Sequence, residues 1–376
     1  MTEEQFKSYI DTIKDHPKFK KLDKFIKMTK LLEDKDIYEN IIYYVNLQCY
    51  KTDENGLRRI PDYEYFKRFM DEYLKDEKEE VLRFDKEGNL DLGKTLFLKQ
   101  PLRLAGSSGN FFDGWLVMTD DSKYISKLPL GYRGNSGIGK GNSRYIPIIS
   151  SYIAKQLNID TAEYRFANLG NGQTRIISPS FLNENEEIIT YSQQNSENPM
   201  IARELDILTE NLTLRKFSEE EIEKAKFEFL KQEFLAKIID LKDQKPENSP
   251  LILSVDRNGE RHIRLAPMTD YDYSFNIAPM NSMLAQRRCN NGKKDISSLI
   301  EQYKDYTGFK EFVEEVIASF DMRKVYAKIY EDTGNSKFKD FEDDEQMVKF
   351  IEFAENNIKK AKETFDKLYR DERGDK

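Results

Sequence analysis

The run from Ser218 to Phe275 constrains this chain more than any other stretch. Ser218 and Glu221 have capping-box spacing and open SEEEIEKAKFEFLKQEFLAKIIDL, whose length and apolar content predict a long, largely buried helix ending near residue 241. The polar break KDQKPENSP follows. Beyond it, SPLILSVDRNGERHIRLAP reads as two strands joined by a turn at Arg257, Asn258 and Gly259. A buried helix leading through a short polar loop into a hairpin commits this half of the chain to mixed packing, and the fold class expected is α+β.

The polar positions in that frame carry a chemical pattern. Asp243 and Asn248 lie five residues apart in the break, and Asp270 follows the second strand in RLAPMTDYDYSF. Phosphoryl transfer needs one carboxylate beside the attacking hydroxyl, and an amide and a second carboxylate to hold magnesium against the nucleotide phosphates. Asp243 suits the first role. Asn248 and Asp270 offer the hard oxygen donors that suit magnesium. Asp272 is a neighbouring carboxylate, but Asp270 comes more directly after the apolar strand.

Upstream, LRLAGSSGNFFDGWLVMTDDSKYISKLP reads as strand, Gly/Ser turn, strand, turn, strand. The turn formed by Gly106, Ser107, Ser108 and Gly109 can offer backbone N–H groups to phosphates, because glycine permits close approach. Lys127, on the following strand, can supply a point charge to the same phosphates. A second phosphate-like motif, Gly134, Gly139 and Lys140, matches P-loop spacing but has Gly141 where a magnesium-binding Ser or Thr belongs. It reads as a loop.

Other chemistries find little support. The chain has 2 His and 2 Cys in 376 residues, too few for a disulfide framework or a Cys-based zinc site. His262 falls within an expected strand, where a packing or surface role suits it. The formal net charge is −8 with both signs interspersed, which gives no broad cationic face for nucleic acid. No apolar run approaches the ~20 residues of a membrane span, and MTEEQFKSYI lacks a signal-peptide core, so the expected home is the cytoplasm.

Residues 1 to about 82 carry helical periodicity, with Phe6, Ile10 and Ile13, then Phe25, Ile26, Leu31 and Leu32, at helical spacing. Glu87, Gly88 and Asn89 mark a hairpin and a domain boundary near residues 83 to 95. YIPIISSYIAKQLNI predicts a helix with Pro147 in its first turn, and AEYRFANLG and TRIISPSFL predict strands. Residues 183 to 215 read as polar and irregular. The expected organisation is a helical N-terminal extension over 1–95, a small sheet-bearing lobe over 96–182 and a mainly helical lobe over 183–376.

YISKLP, NSRYIPIISSYIAKQLNIDTAEYRF, the D-x-x-x-x-N of DQKPEN and RLAPMTDYDYSF together resemble the HipA-like atypical serine/threonine kinases, including the cell-translocating kinase branch. The resemblance spans roughly residues 100 to 290. It implies a bilobal protein-kinase-like fold, ATP and magnesium as cofactors, and a protein Ser or Thr as acceptor. It also implies Lys127 at the ATP phosphates, Asp243 as base, and Asn248 and Asp270 on magnesium. HipA-like proteins often have antitoxin-like protein partners. The chain departs from the family at Asp243-Gln244-Lys245, where Asp-Arg-His is usual, so that Lys245 is the basic partner. Arg144 and Tyr145 also stand where an acidic partner for the lysine is expected. A lipid or small-molecule kinase, or a non-catalytic pseudokinase or binding module, are the alternative readings.

Overall fold

The computed structural model describes residues 1–30, 36–52, 59–75, 83–85, 89–92, 97–100, 112–118, 123–127, 144–168, 174–183, 185–189, 204–241, 250–269, 271, 274–275 and 295–369. The fold is α+β, as the sequence predicts, and divides into two compact units. One comprises residues 1–129 with 165–180, the other 130–164 with 181–376.

The first unit begins with helices α1 (Glu3–Ile13), α2 (Pro17–Lys30) and α3 (Ile37–Gln48), a hairpin of β1 (Tyr50–Thr52) and β2 (Arg59–Pro61), and helix α4 (Tyr63–Lys75). Thr2 caps α1 through a reciprocal box with Gln5. The described periodic apolar positions converge on one core of Phe6, Ile10, Phe19, Ile26, Phe66 and Met70 and their neighbours, while Leu31 and Leu32 lie outside the described residues. Phe6 stacks on Tyr63 at 4.4 Å and meets Phe66 edge-on at 5.5 Å. The hairpin corrects the purely helical reading of this region: Tyr50 pairs with Pro61 and Thr52 with Arg59. Strand pairing is a tertiary contact that helical periodicity on either side conceals.

The same unit contains a seven-stranded sheet of β3 (Arg83–Phe84), β4 (Leu90–Asp91), β5 (Phe97–Gln100), β6 (Phe112–Met118), β7 (Lys123–Lys127), β8 (Arg165–Asn168) and β9 (Thr174–Pro179). Its spatial order is β3-β4-β8-β9-β7-β6-β5, antiparallel except where β4 runs parallel to β8. The hairpin marked by Asn89 forms, with Asp85 accepting from the Asn89 N–H at 2.9 Å. Strands β6 and β7 form where the sequence predicts them, whereas the first strand expected from Leu102 lies outside the described residues and the strand that pairs with β6 is β5, which α3 packs on.

In the second unit, helix α5 (Ile146–Gln156) carries Pro147 in its first turn as expected. Residues 183 to 215 differ from the irregular expectation: they include strand β10 (Glu186–Ile189) and helix α6 (Glu204–Leu214). Next comes α7 (Glu219–Ile238), opened by the Ser218/Glu221 capping box. Strands β11 (Leu251–Val255) and β12 (Arg261–Leu265) join β10 in an antiparallel sheet ordered β10-β11-β12. Helices α8 (Ile296–Gln302), α9 (Phe309–Ser319), α10 (Met322–Thr333) and α11 (Glu345–Tyr369) complete the unit.

The buried side chains of α7 include Phe229, Leu230, Phe234, Leu235 and Ile238, and the helix packs on β12, α6, α8 and α11. A helix covered on so many sides is a rigid platform for the segment it feeds. Helix α5 packs on α10, fixed by Gln156, whose side chain donates to the Asp321 carbonyl at 3.1 Å and accepts from the Asp321 N–H at 3.3 Å. Among the described residues, no helix is long and apolar enough to cross a membrane.

Candidate functional site

Of the catalytic, phosphate-binding and metal-binding residues expected from the sequence, Lys127 is described. Asp243, Lys245, Asn248, Asp270, the turn Gly106, Ser107, Ser108 and Gly109, and the loop with Gly134, Gly139 and Lys140 lie outside the described residues.

Lys127 ends β7, where it pairs with Phe112 on β6 and Ile176 on β9. The register puts it on one sheet face with Ile125, Ile176 and Phe166, all buried. Its own exposure is 2%, whereas Lys123 at the other end of the strand is exposed. An ammonium held out of water is costly unless other polar groups compensate it. This is therefore not the solvated surface lysine that a strand terminus usually carries.

The frame around residues 242–249 is built by backbone hydrogen bonds within the second unit. Helix α7 stops because Asp240 adopts a left-handed conformation, φ 50°, and the Leu241 N–H bonds back to the Ala236 carbonyl at 2.8 Å, closing the helix with its carbonyls satisfied. The chain re-enters at Pro250, whose carbonyl accepts from the Ala266 N–H at 2.8 Å, just beyond β12. Ile239, at the other end, has its carbonyl bonded by the Phe275 N–H at 2.6 Å. Both ends of the segment bearing Asp243 and Asn248 are thus tied to residues flanking Asp270, one before it and one after. Buried Gln232 on α7 adds a third tie, its amide donating to the Ala266 carbonyl at 2.8 Å.

Residues 160 to 164, which follow α5, grip the same strip. Met268 donates its N–H to the Asp160 carbonyl at 3.1 Å and accepts from the Ala162 N–H at 3.0 Å. The Thr161 hydroxyl pairs with that of Tyr271, and the Tyr164 hydroxyl donates to the Thr269 carbonyl. Tyr271 is fully buried, and burial pushes its phenol well above the usual tyrosine range, so it stays protonated. Burial also raises the Asp160 carboxyl, against the opposing pull of Arg264. Sequence reasoning passed over Thr161, Tyr164, Gln232 and Tyr271. A Tyr directly after the candidate metal ligand was the one visible signal.

At the β11–β12 turn, ligating atoms of Asp256, Glu260 and His262 lie within 4.8 Å of one another, the one such group among the described residues. Asp256 is already engaged as a turn acceptor, taking the N–H groups of Asn258 and Glu260 at 2.8 Å each. The bond from Glu260, then that from Asn258, holds its carboxyl below the usual range despite some opposing desolvation. The grouping is explained by the turn.

No family model matches the chain, and no curated protein matches it. Among solved structures, the crystal structure of a Helicobacter pylori proinflammatory kinase, CtkA, is similar at a TM-score of 0.48 and 13% identity, covering 72% of this chain and 98% of that one.

Proposed function

We propose that this chain is an ATP-dependent phosphotransferase of protein-kinase-like architecture acting on a protein Ser or Thr. The observation that carries the reading is a pair of backbone ties: the Phe275 N–H bonds the Ile239 carbonyl and the Ala266 N–H bonds the Pro250 carbonyl, so described residues on either side of the D-x-x-x-x-N stretch are bonded to described residues on either side of a third acidic residue. Helix, D-x-x-x-x-N loop, hairpin and Asp is the serial order in which protein kinases carry their catalytic and metal-binding loops. The order of elements from β5 to α5 supports the same reading. Strand, a Gly/Ser stretch in the sequence, strand, Lys-bearing strand and then a helix is the kinase order for the Gly-rich loop, the phosphate-binding lysine and the helix after it.

In this reading Lys127 and the turn at Gly106, Ser107, Ser108 and Gly109 bind the ATP phosphates. Asp243 orients and deprotonates the acceptor hydroxyl, with Lys245 as its basic neighbour. Asn248 and Asp270 would hold magnesium; their oxygen-only donor set fits that ion, which neutralises charge on the transferring phosphoryl group. The division into an extension over 1–95, a small lobe over 96–182 and a large lobe over 183–376 is part of the proposal, as are a cytoplasmic setting and an antitoxin-like or regulatory protein partner.

One observation favours a second reading, nucleotide binding without turnover. Helix α5, IPIISSYIAKQ, contains no acidic residue, so the carboxylate that kinases place on this helix opposite the lysine has no counterpart on it. The decisive experiment is label transfer from ATP with magnesium to protein and phosphoinositide acceptors, beside nucleotide binding by calorimetry, for wild type, Asp243→Asn and Asp270→Asn. Asp243→Asn should retain binding and lose turnover, and Asp270→Asn should lose magnesium-dependent binding. Absence of nucleotide binding in the wild type would overturn the proposal. Binding without transfer to any acceptor would leave the second reading standing.

A further inference from the structure

The strip from Met268 to Tyr271 is held on one side by residues 160 to 164, through hydrogen bonds and a ring contact at positions 268, 269 and 271. Met268 is bonded through backbone in both directions, at 3.1 Å to Asp160 and 3.0 Å from Ala162. Thr269 is held by the Tyr164 hydroxyl on its carbonyl. Tyr271 is held by the Thr161 hydroxyl and by an edge-on ring contact with Tyr164, centroids 6.1 Å apart and planes at 81°. The ties fall on both sides of position 270.

A phenylalanine would pack equally well against the Tyr164 ring, but only a hydroxyl can bond Thr161. Neither hydroxyl in this pair sees bulk water, since Tyr271 is 0% and Thr161 9% exposed. A hydrogen bond in such surroundings fixes direction more strongly than one at the surface, and leaving one member unpaired there is costly.

We propose that Thr161, Tyr164 and Tyr271 are positioning residues for the metal ligand Asp270, holding the chain at Thr269 and at Tyr271, the residues immediately before and after it. The inference rests on the reading of Asp270 as a magnesium ligand. Groups standing behind a metal ligand characteristically control affinity for the metal more than the fold itself.

The test is ATP binding by the full chain, measured by calorimetry across a magnesium titration and again in chelator, for wild type, Tyr271→Phe, Tyr164→Phe, Thr161→Val and Thr161→Ser. Asp270→Asn runs in parallel. Tyr271→Phe and Tyr164→Phe should each raise the magnesium concentration for half-maximal binding by about tenfold, with metal-free nucleotide affinity unchanged. Thr161→Val should do the same and Thr161→Ser should restore the wild-type value. The pair Thr161→Val with Tyr271→Phe should fall short of the sum of the two single effects, because the two hydroxyls share one contact while Thr161 also reaches the Met268 carbonyl at 3.4 Å.

Wild-type magnesium dependence in the hydroxyl variants, alongside its loss in Asp270→Asn, would overturn this inference and leave the phosphotransferase reading intact. So would an equal fall in metal-free and magnesium-dependent affinity, which marks general loss of structure. If Asp270→Asn itself keeps wild-type magnesium dependence, the metal-ligand reading fails and takes the inference with it. Should Tyr271→Phe not fold, the Thr161→Val and Thr161→Ser comparison decides the question alone.

Discussion

Lys127 is the residue whose environment says most about its role. Among its strand neighbours it is a cation held almost wholly out of water, on a face it shares with Ile125, Ile176, Phe166 and Ser178. Lys127→Met keeps the length of the stem and removes the charge. It should weaken ATP binding by at least about tenfold, an effect calorimetry with magnesium reads directly; unchanged affinity would remove Lys127 from the site. Backbone demands are as specific at Gly334, which closes α10 at φ 66° with its N–H on the Tyr330 carbonyl at 2.7 Å. Nothing lies within 4 Å of where a Cβ would sit, so the cost of Gly334→Ala is conformational alone. Chemical denaturation should show a loss of about 1 kcal/mol.

Among the elements, α7 and the sheet β10-β11-β12 form the frame of the candidate site. The α7 capping box was legible because both partners, Ser218 and Glu221, sit three residues apart, within reach of local rules. Ser218→Ala should cost about 1 kcal/mol in unfolding free energy. The attachment of β10 was not legible. It depends on pairing with β11 more than sixty residues later, from Glu186 against Ser254 to Ile189 against Leu251. Across that sheet Arg264 grips Glu186 with two nitrogens, at 3.2 and 2.9 Å, and also donates to the Phe181 carbonyl at 2.8 Å. The arginine bond, against some desolvation, holds the Glu186 carboxyl below its ordinary value of 4.5. A depressed carboxylate stabilises the fold above its unfolded-state pKa and loses that contribution as pH falls through the folded one. The stability gap between wild type and Glu186→Gln should therefore be open at neutral pH and close as pH drops below 4.5. A gap independent of pH would mean that the pair contributes nothing through charge.

For the molecule as a whole, two compact units with separate helical packing imply that damage to one core need not begin in the other. Phe66 is fully buried in the core of the N-terminal helices, between Phe6 and Tyr44. Phe66→Ala should destabilise the first unit by about 3–5 kcal/mol. Scanning calorimetry should show this as a lower-temperature transition separating from that of the second unit; a single uniformly shifted transition would mean that the two unfold as one. The amino-acid sequence by itself determined the α+β class, the long helix with its cap, the hairpin at Asn258, the strand pair ending in Lys127 and the first-turn place of Pro147. All of these follow from periodicity and capping over a few neighbouring residues. Only the tertiary structure decided the hairpin of β1 and β2, the burial of Lys127, the return of Ile239 and Pro250 to the flanks of position 270, and the grip of Thr161 and Tyr164 on residues more than a hundred positions away. A buried hydroxyl or carbonyl must find a partner, but nothing in its local sequence says which distant strand will bring one.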